Sequence, residues 1–195
     1  MKLSGILFLA ATALPAFALD FSPQFVTTIS DGVAIRRPYF ADGDKKYSVT
    51  LNMETELTPY EDGALFRFVK LSHAEMRLRP SPLSVELKFG PENQEAYEAA
   101  AKKLLPLDAE GVVLDQVTQN PLPINGWSGV RFTFHYRMPM GEVRESITFL
   151  NILPTDQVVI QTGSMAKDFA DVSDRAFDII RRWHELDPKA VVGGS

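Results

Sequence analysis

A chain of 195 residues, 45% hydrophobic and 23% charged, is long enough to bury a core and too apolar for wholesale disorder. Its 20 Lys and Arg against 25 Asp and Glu leave a net charge of -5 with no basic run, which argues against nucleic acid as a partner. There is no cysteine, so disulfides, a thiol nucleophile, an iron–sulfur cluster and a lipid-bearing cysteine are excluded.

Residues 1–18, MKLSGILFLAATALPAFA, read as a secretory signal peptide. Lys2 supplies the positive start, an apolar run follows, Pro15 breaks it, and Ala16-Phe17-Ala18 fits the small-x-small cleavage rule. The run is short of the roughly 20 residues a spanning helix needs. Cleavage before Leu19 is expected to leave residues 19–195 as one periplasmic or secreted domain with a loose tail, VVGGS. No later stretch is apolar for long enough to span a bilayer.

Short strands open the mature part. Residues 25–29 suit a strand, 33–40 an extended piece interrupted by Pro38, and 41–46, ADGDKK, a turn. Residues 47–57 alternate, with Tyr47, Val49, Leu51 and Met53 on one side, and predict a single half-buried strand. A turn at PYEDG, 59–63, leads to strands at 64–71 and 73–78. Arg79-Pro80-Ser81-Pro82 reads as extended, because proline biases its predecessor away from helix. Residues 84–89 alternate again and predict another strand.

PENQEAYEAAAKKLLP, 91–106, predicts the first helix. Pro91 suits its first position, Glu92 and Glu95 its first turn, Lys102 and Lys103 its last, and Pro106 ends it. Tyr97, Ala100, Ala101 and Leu104 share a face. Residues 112–117 predict the next strand. A final helix starts near Asp168, read as its N-cap with Asp171 reaching back as capping-box partner. Phe169, Val172, Ala176, Ile179, Ile180 and Trp183 form its apolar stripe, with Asp171–Arg175 and Asp178–Arg182 as i,i+4 pairs.

Between the helices lies LPINGWSGVRFTFHYRMPMGEVRE, 122–145. Val130, Phe132, Phe134 and Tyr136 point to one side, Arg131, Thr133, His135 and Arg137 to the other. Met138-Pro139-Met140-Gly141 carries the proline and glycine of a type I turn. With Arg137 facing Glu142, Tyr136 faces Val143, His135 faces Arg144, Phe134 faces Glu145 and Phe132 faces Ile147. A second turn at Pro154-Thr155-Asp156 continues the meander. Leu150, Ile152 and Val159 make the polar side apolar near that turn, which predicts a helix or loop on each side of the sheet.

The element order resembles the PsbP/Mog1-like group over roughly residues 47–186. The resemblance rests on the 92–105 helix, a strand, PLPINGWSGVRFTFHY, VRESITFLNIL, QVVIQTGSM and a helix ending AFDIIRRW. Ile124-Asn125-Gly126-Trp127-Ser128-Gly129 feeding a long hairpin is its most telling piece. It implies an α+β fold, an antiparallel sheet flanked by helices, and a role as an interaction protein rather than an enzyme. No binding residue carries over.

No catalytic signature emerges. Gly126-Trp127-Ser128-Gly129 approaches the G-x-S-x-G elbow, but its second glycine comes one position early and it enters a strand. His73, His135 and His184 lack ligand spacing, Asp42-Gly43-Asp44 lacks the further oxygens of a calcium loop, and Asp168, Asp171, Asp174 and Asp178 read as a solvated helix face. No cofactor or metal is therefore expected. The binding candidates are Arg131, His135, Arg137 and Arg144 as a cationic patch, and Met138 and Met140 as an adaptable apolar tip. As mere solvated sheet, which is the expectation, Arg131, His135 and Arg144 should be exposed and independent; as a site, they should line one concavity holding an anion or an acidic chain. The reading is an exported, non-catalytic interaction or accessory module of the cell envelope with a protein partner. The alternative is a small-ligand binder or enzyme using the Arg131/His135/Arg144 face.

Overall fold

Strand-forming alternation dominates the chain, and two antiparallel sheets result. The computed structural model describes residues 19–122, 126–153, 156–187 and 189. In chain order the strands are β1 (Asp20–Ser30), β2 (Val33–Asp42), β3 (Lys45–Ser48), β4 (Thr55–Tyr60), β5 (Gly63–Phe68) and β6 (Glu75–Pro80). Helix α1 (Gln94–Lys102) follows, then β7 (Glu110–Gln119), β8 (Gly129–Met138), β9 (Gly141–Leu153), β10 (Asp156–Met165), α2 (Phe169–Arg181) and β11 (His184–Glu185). The large sheet is ordered β4-β5-β6-β10-β9-β8-β7 and the small one β1-β2-β3-β11. This is the α+β architecture expected. The signal segment, the tail from residue 190, Pro123 to Asn125 of the resembling stretch, and Pro154 and Thr155 of the second turn lie outside the described residues.

Each face of the large sheet has its own core. Under α1, Tyr97 and Ala101 meet Phe132, Phe134, Ile147 and Phe149. On the opposite face, Val172, Ala176, Ile179 and Ile180 of α2 join Leu150 and Ile160, while Phe21, Phe40 and Tyr47 bring in the small sheet. Trp183 stacks on Phe40 at 5.1 Å and on Tyr47 at 6.0 Å between ring centroids, tying the end of α2 to the small sheet.

The hairpin register is the one expected, with Arg137↔Glu142, His135↔Arg144, Phe134↔Glu145 and Phe132↔Ile147 all paired. The strand expected over 47–57 is instead broken. Asn52 Oδ1 accepts from the Glu54 amide at 3.0 Å and the Thr55 hydroxyl at 2.7 Å, a side-chain-closed turn that moves the chain from the small sheet to the large one. Residues 84–89 are not a strand either. The Leu87 amide donates to the Ser84 carbonyl at 3.0 Å, and Leu83, Leu87 and Phe89 wrap under α1. Strand β5 ends three residues earlier than expected and β6 starts two later, with His73 at φ 56° between them. Helix α1 stops at Lys102, ahead of Pro106.

Asp168 is the N-cap of α2, but its side chain makes no capping bond, and Asp171 accepts from Arg175 Nε at 3.0 Å rather than closing a box. Asp178 pairs with Arg181, not Arg182, at 3.7 Å.

Candidate functional site

The β8–β9 hairpin supplies every residue of the expected site, and the structure divides them by face. On the α2 face, Arg131 lies under the helix. Its guanidinium sits 3.8 Å from the Phe177 ring and its Nε donates to Thr148 Oγ1 at 3.2 Å. Burial lowers its pKa to about 10, and its Nη2 is sealed from solvent with no hydrogen-bond partner among the described residues. Further along, Asp115 of β7 reaches over β8: its Oδ1 lies 2.5 Å from His135 Nδ1 and its Oδ2 accepts from Arg144 Nη2 at 3.1 Å. Arg131, His135 and Arg144 are thus neither exposed alike nor independent. One is covered by α2, and the other two share a carboxylate that alternation along β8 and β9 could not reveal. A cleft of about 280 Å³ between them takes in Arg131, Arg144, Gln116 and Ser173, but also Asp174.

On the α1 face the hairpin end borders a second concavity. Helix α1 covers only the apolar part of the sheet. Beyond it, Tyr136, Glu145, Gln161 and Gly163 floor a cavity of about 190 Å³ walled by Met138, Met140 and Val143. Met140 is 49% exposed at the rim. Glu145 is 5% exposed. Its Oε2 accepts from Tyr136 Oη and its Oε1 from Gln161 Nε2, both at 2.5 Å. Burial above all raises its pKa, against those two hydrogen bonds. Tyr136 is pushed up as well, by burial and by the charge of Glu145. A third concavity, about 400 Å³, runs beside β7 past Glu110, Gly111, His135, Arg137 and Glu142. The end of the hairpin therefore stands between two hollows, with Met138 and Met140 on one side and His135 and Arg137 on the other.

The remaining candidates fall elsewhere. Gly126 takes φ 73°, and a Cβ on Gly129 would lie 2.4 Å from the Phe149 carbonyl oxygen, so these glycines serve a turn and a close approach. The Ser128 carbonyl accepts from the Asn151 amide at 3.0 Å. His184 lies on β11 and His73 at the rim of the 190 Å³ cavity, on different elements from His135.

No protein-family model matches the sequence, and no curated protein matches it. Among solved structures the chain is similar to LpqN of Mycobacterium tuberculosis, described as involved in cell envelope biogenesis. That alignment has 10% identity and a TM-score of 0.50, and covers 85% of this chain and 92% of LpqN. The chain is also similar to cyanobacterial PsbP of Synechocystis, at 8% identity and TM-score 0.44, over 92% of this chain and 98% of that one. A Pseudomonas aeruginosa protein of unknown function, described as a putative regulator, aligns at 11% identity and TM-score 0.39, over 84% and 96%. The antiparallel sheet between helices is what the resemblance implied, and the LpqN alignment extends over most of both chains. The fold is an α+β sandwich of the kind found in LpqN. Identities this low speak for fold alone.

On the large sheet, Glu145, Asp115 and Gln161 are site residues that the sequence did not single out. A signal for Glu145 was present: the expected register puts a carboxylate opposite Phe134 on the apolar side. Asp115 gave none, since β7 carries two register shifts that reset which way its side chains point.

Proposed function

We propose that this chain is an exported, non-catalytic accessory module of the cell envelope, periplasmic or secreted, that recognises a protein partner through the end of the β8–β9 hairpin. The observation that carries this is the half-exposed Met140 beside Met138 at the meeting of two open concavities. Thioether side chains repack at little cost and suit a contact surface. Arg137 and His135 add polar contacts on the other flank, as the rim of an interface does. The fold shared with LpqN, a protein involved in envelope biogenesis, and the signal-like start of the sequence both favour this location.

The test is site-specific photocrosslinking in the native host. A benzophenone side chain at Met140 is expected to capture one discrete partner from the envelope fraction, and the same probe at the fully exposed Met53 none. Identical capture from both positions, or none from Met140, refutes the reading.

A further inference from the structure

We propose that the cavity walled by Met138, Met140 and Val143 is a side-chain-sized receptor for an alkylammonium group, with Glu145 as its counter-ion. This rests on the hairpin end being the binding surface and names the chemistry it takes.

Charge balance points to a cation. Two carboxylates line the cavity, Glu75 and Glu145, with one guanidinium, Arg77, and the His73 imidazole at the rim. Arg77 forms its ion pair with Glu75 and lies 5.1 Å from the Tyr60 ring, so Glu75 and Arg77 cancel. Glu145 is left with two neutral donors, Tyr136 and Gln161, and none of the described residues forms an ion pair with it. A buried carboxyl in that position stays neutral or takes a cation from outside. Burial holds it toward the protonated form. A bound ammonium would let Glu145 give up that proton and would keep the site neutral, whereas an anion would find Arg77 already paired with Glu75. A metal ion fits poorly, because no group of three His, Asp or Glu among the described residues comes together to hold one.

Size and lining narrow the class further. About 190 Å³ falls below the roughly 300–1,000 Å³ of pockets that hold drug-sized ligands. It suits a short methylene stem ending in an ammonium. Met138, Met140, Val143 and Pro106 give that stem an apolar wall, while the floor keeps the polar group. The same chemistry belongs to a small primary amine and to a lysine side chain of a partner.

The experiment titrates the full mature chain with n-butylammonium chloride and with n-butanol, following Met methyl and Gln side-chain amide signals by NMR. Saturable shifts at Met138, Met140 and Gln161 with the amine, at about millimolar Kd, and none with the alcohol, are expected. Glu145→Gln is expected to weaken the amine at least tenfold. Gly163→Ala keeps Glu145 but sets a methyl 3.6 Å from its Cγ and Cδ, and is expected to weaken it several-fold by filling the cavity. Equal shifts with amine and alcohol, no saturation, or unchanged affinity in both variants overturns the proposal. A lysine pentapeptide that binds more tightly than butylammonium assigns the site to a partner's side chain; equal affinity assigns it to a free amine. If the amine fails while the Met140 crosslink persists, the hairpin end remains a contact surface and only the ammonium falls. Amine binding without a crosslink leaves the receptor and removes the protein partner.

Discussion

Glu145 stands on the α1 face of β9 between Val143 and Ile147, where alternation favours an apolar side chain. Burial raises its folded-state pKa above the unfolded value of 4.5. Below that value both states hold the proton, and the residue adds no pH dependence. Above it the unfolded chain releases the proton while the folded chain keeps it, so this contribution falls as pH rises until the folded-state pKa is passed. Glu145→Gln removes the titration and keeps the shape, and its amide still offers an acceptor to Gln161 and a donor to Tyr136. Its stability relative to the parent is expected to increase as the pH is raised above 4.5. Urea denaturation across that range measures it, and a difference that stays constant with pH contradicts it. Asp115 shows the converse at the surface. It holds His135 and Arg144 together, yet both partners keep over a third of their side chains in water, so the trio organises the face more than it stabilises the molecule.

The β8–β9 hairpin is the element that sequence described best. Pro139 and Gly141 mark a turn of set length, and period two then assigns every partner, so a one-residue slip would have buried Arg131 and His135 with the apolar row. Residues 47–57 lacked such punctuation. Their alternation is real, but Asn52 closes a turn inside it, and the two halves alternate in different sheets. The apolar stripe of α2 was equally legible, and it ends on Trp183, which is 8% exposed. Its stack on Phe40 and Tyr47 joins α2 to the small sheet. Trp183→Ala is expected to cost about 3–5 kcal/mol, read from the urea midpoint at constant slope. A loss below about 1 kcal/mol, the range of unconstrained surface changes, would mean that the stack contributes little.

At the scale of the whole molecule, the two sheets are joined by the segment just ahead of β1. Leu19 is buried, and its backbone nitrogen lies 3.3 Å from Asp156 Oδ1 at the beginning of β10. Cleavage after Ala18 would convert that nitrogen from an amide to an α-ammonium and the hydrogen bond to an ion pair. N-terminal sequencing of the exported protein is expected to begin at Leu19. Asp156→Asn is expected to destabilise the mature chain by about 1–3 kcal/mol, and to cost less in a chain that retains residues 1–18. Equal costs in the two chains would show that the new charge has no structural use.

Period and punctuation are local properties, and what depends on them was determined by the sequence itself: the α+β class, the hairpin register, the buried face of each helix and the apolar cover at Leu150 and Ile152, although Val159, expected beside them, lies on the opposite face with Phe149. Which charges meet was decided only by tertiary structure. Arg131 reads as surface decoration until α2, some forty residues later, lays Phe177 over it. His135 and Arg144 read as free cations until the bulged edge strand β7 swings Asp115 between them. Glu145 sits visibly on the apolar side, but α1 ends at Lys102 and leaves that part of the sheet uncovered, which turns a misplaced charge into the floor of a cavity. A side chain's direction is set by its own strand, whereas its solvation and its counter-ion are set by elements distant in sequence.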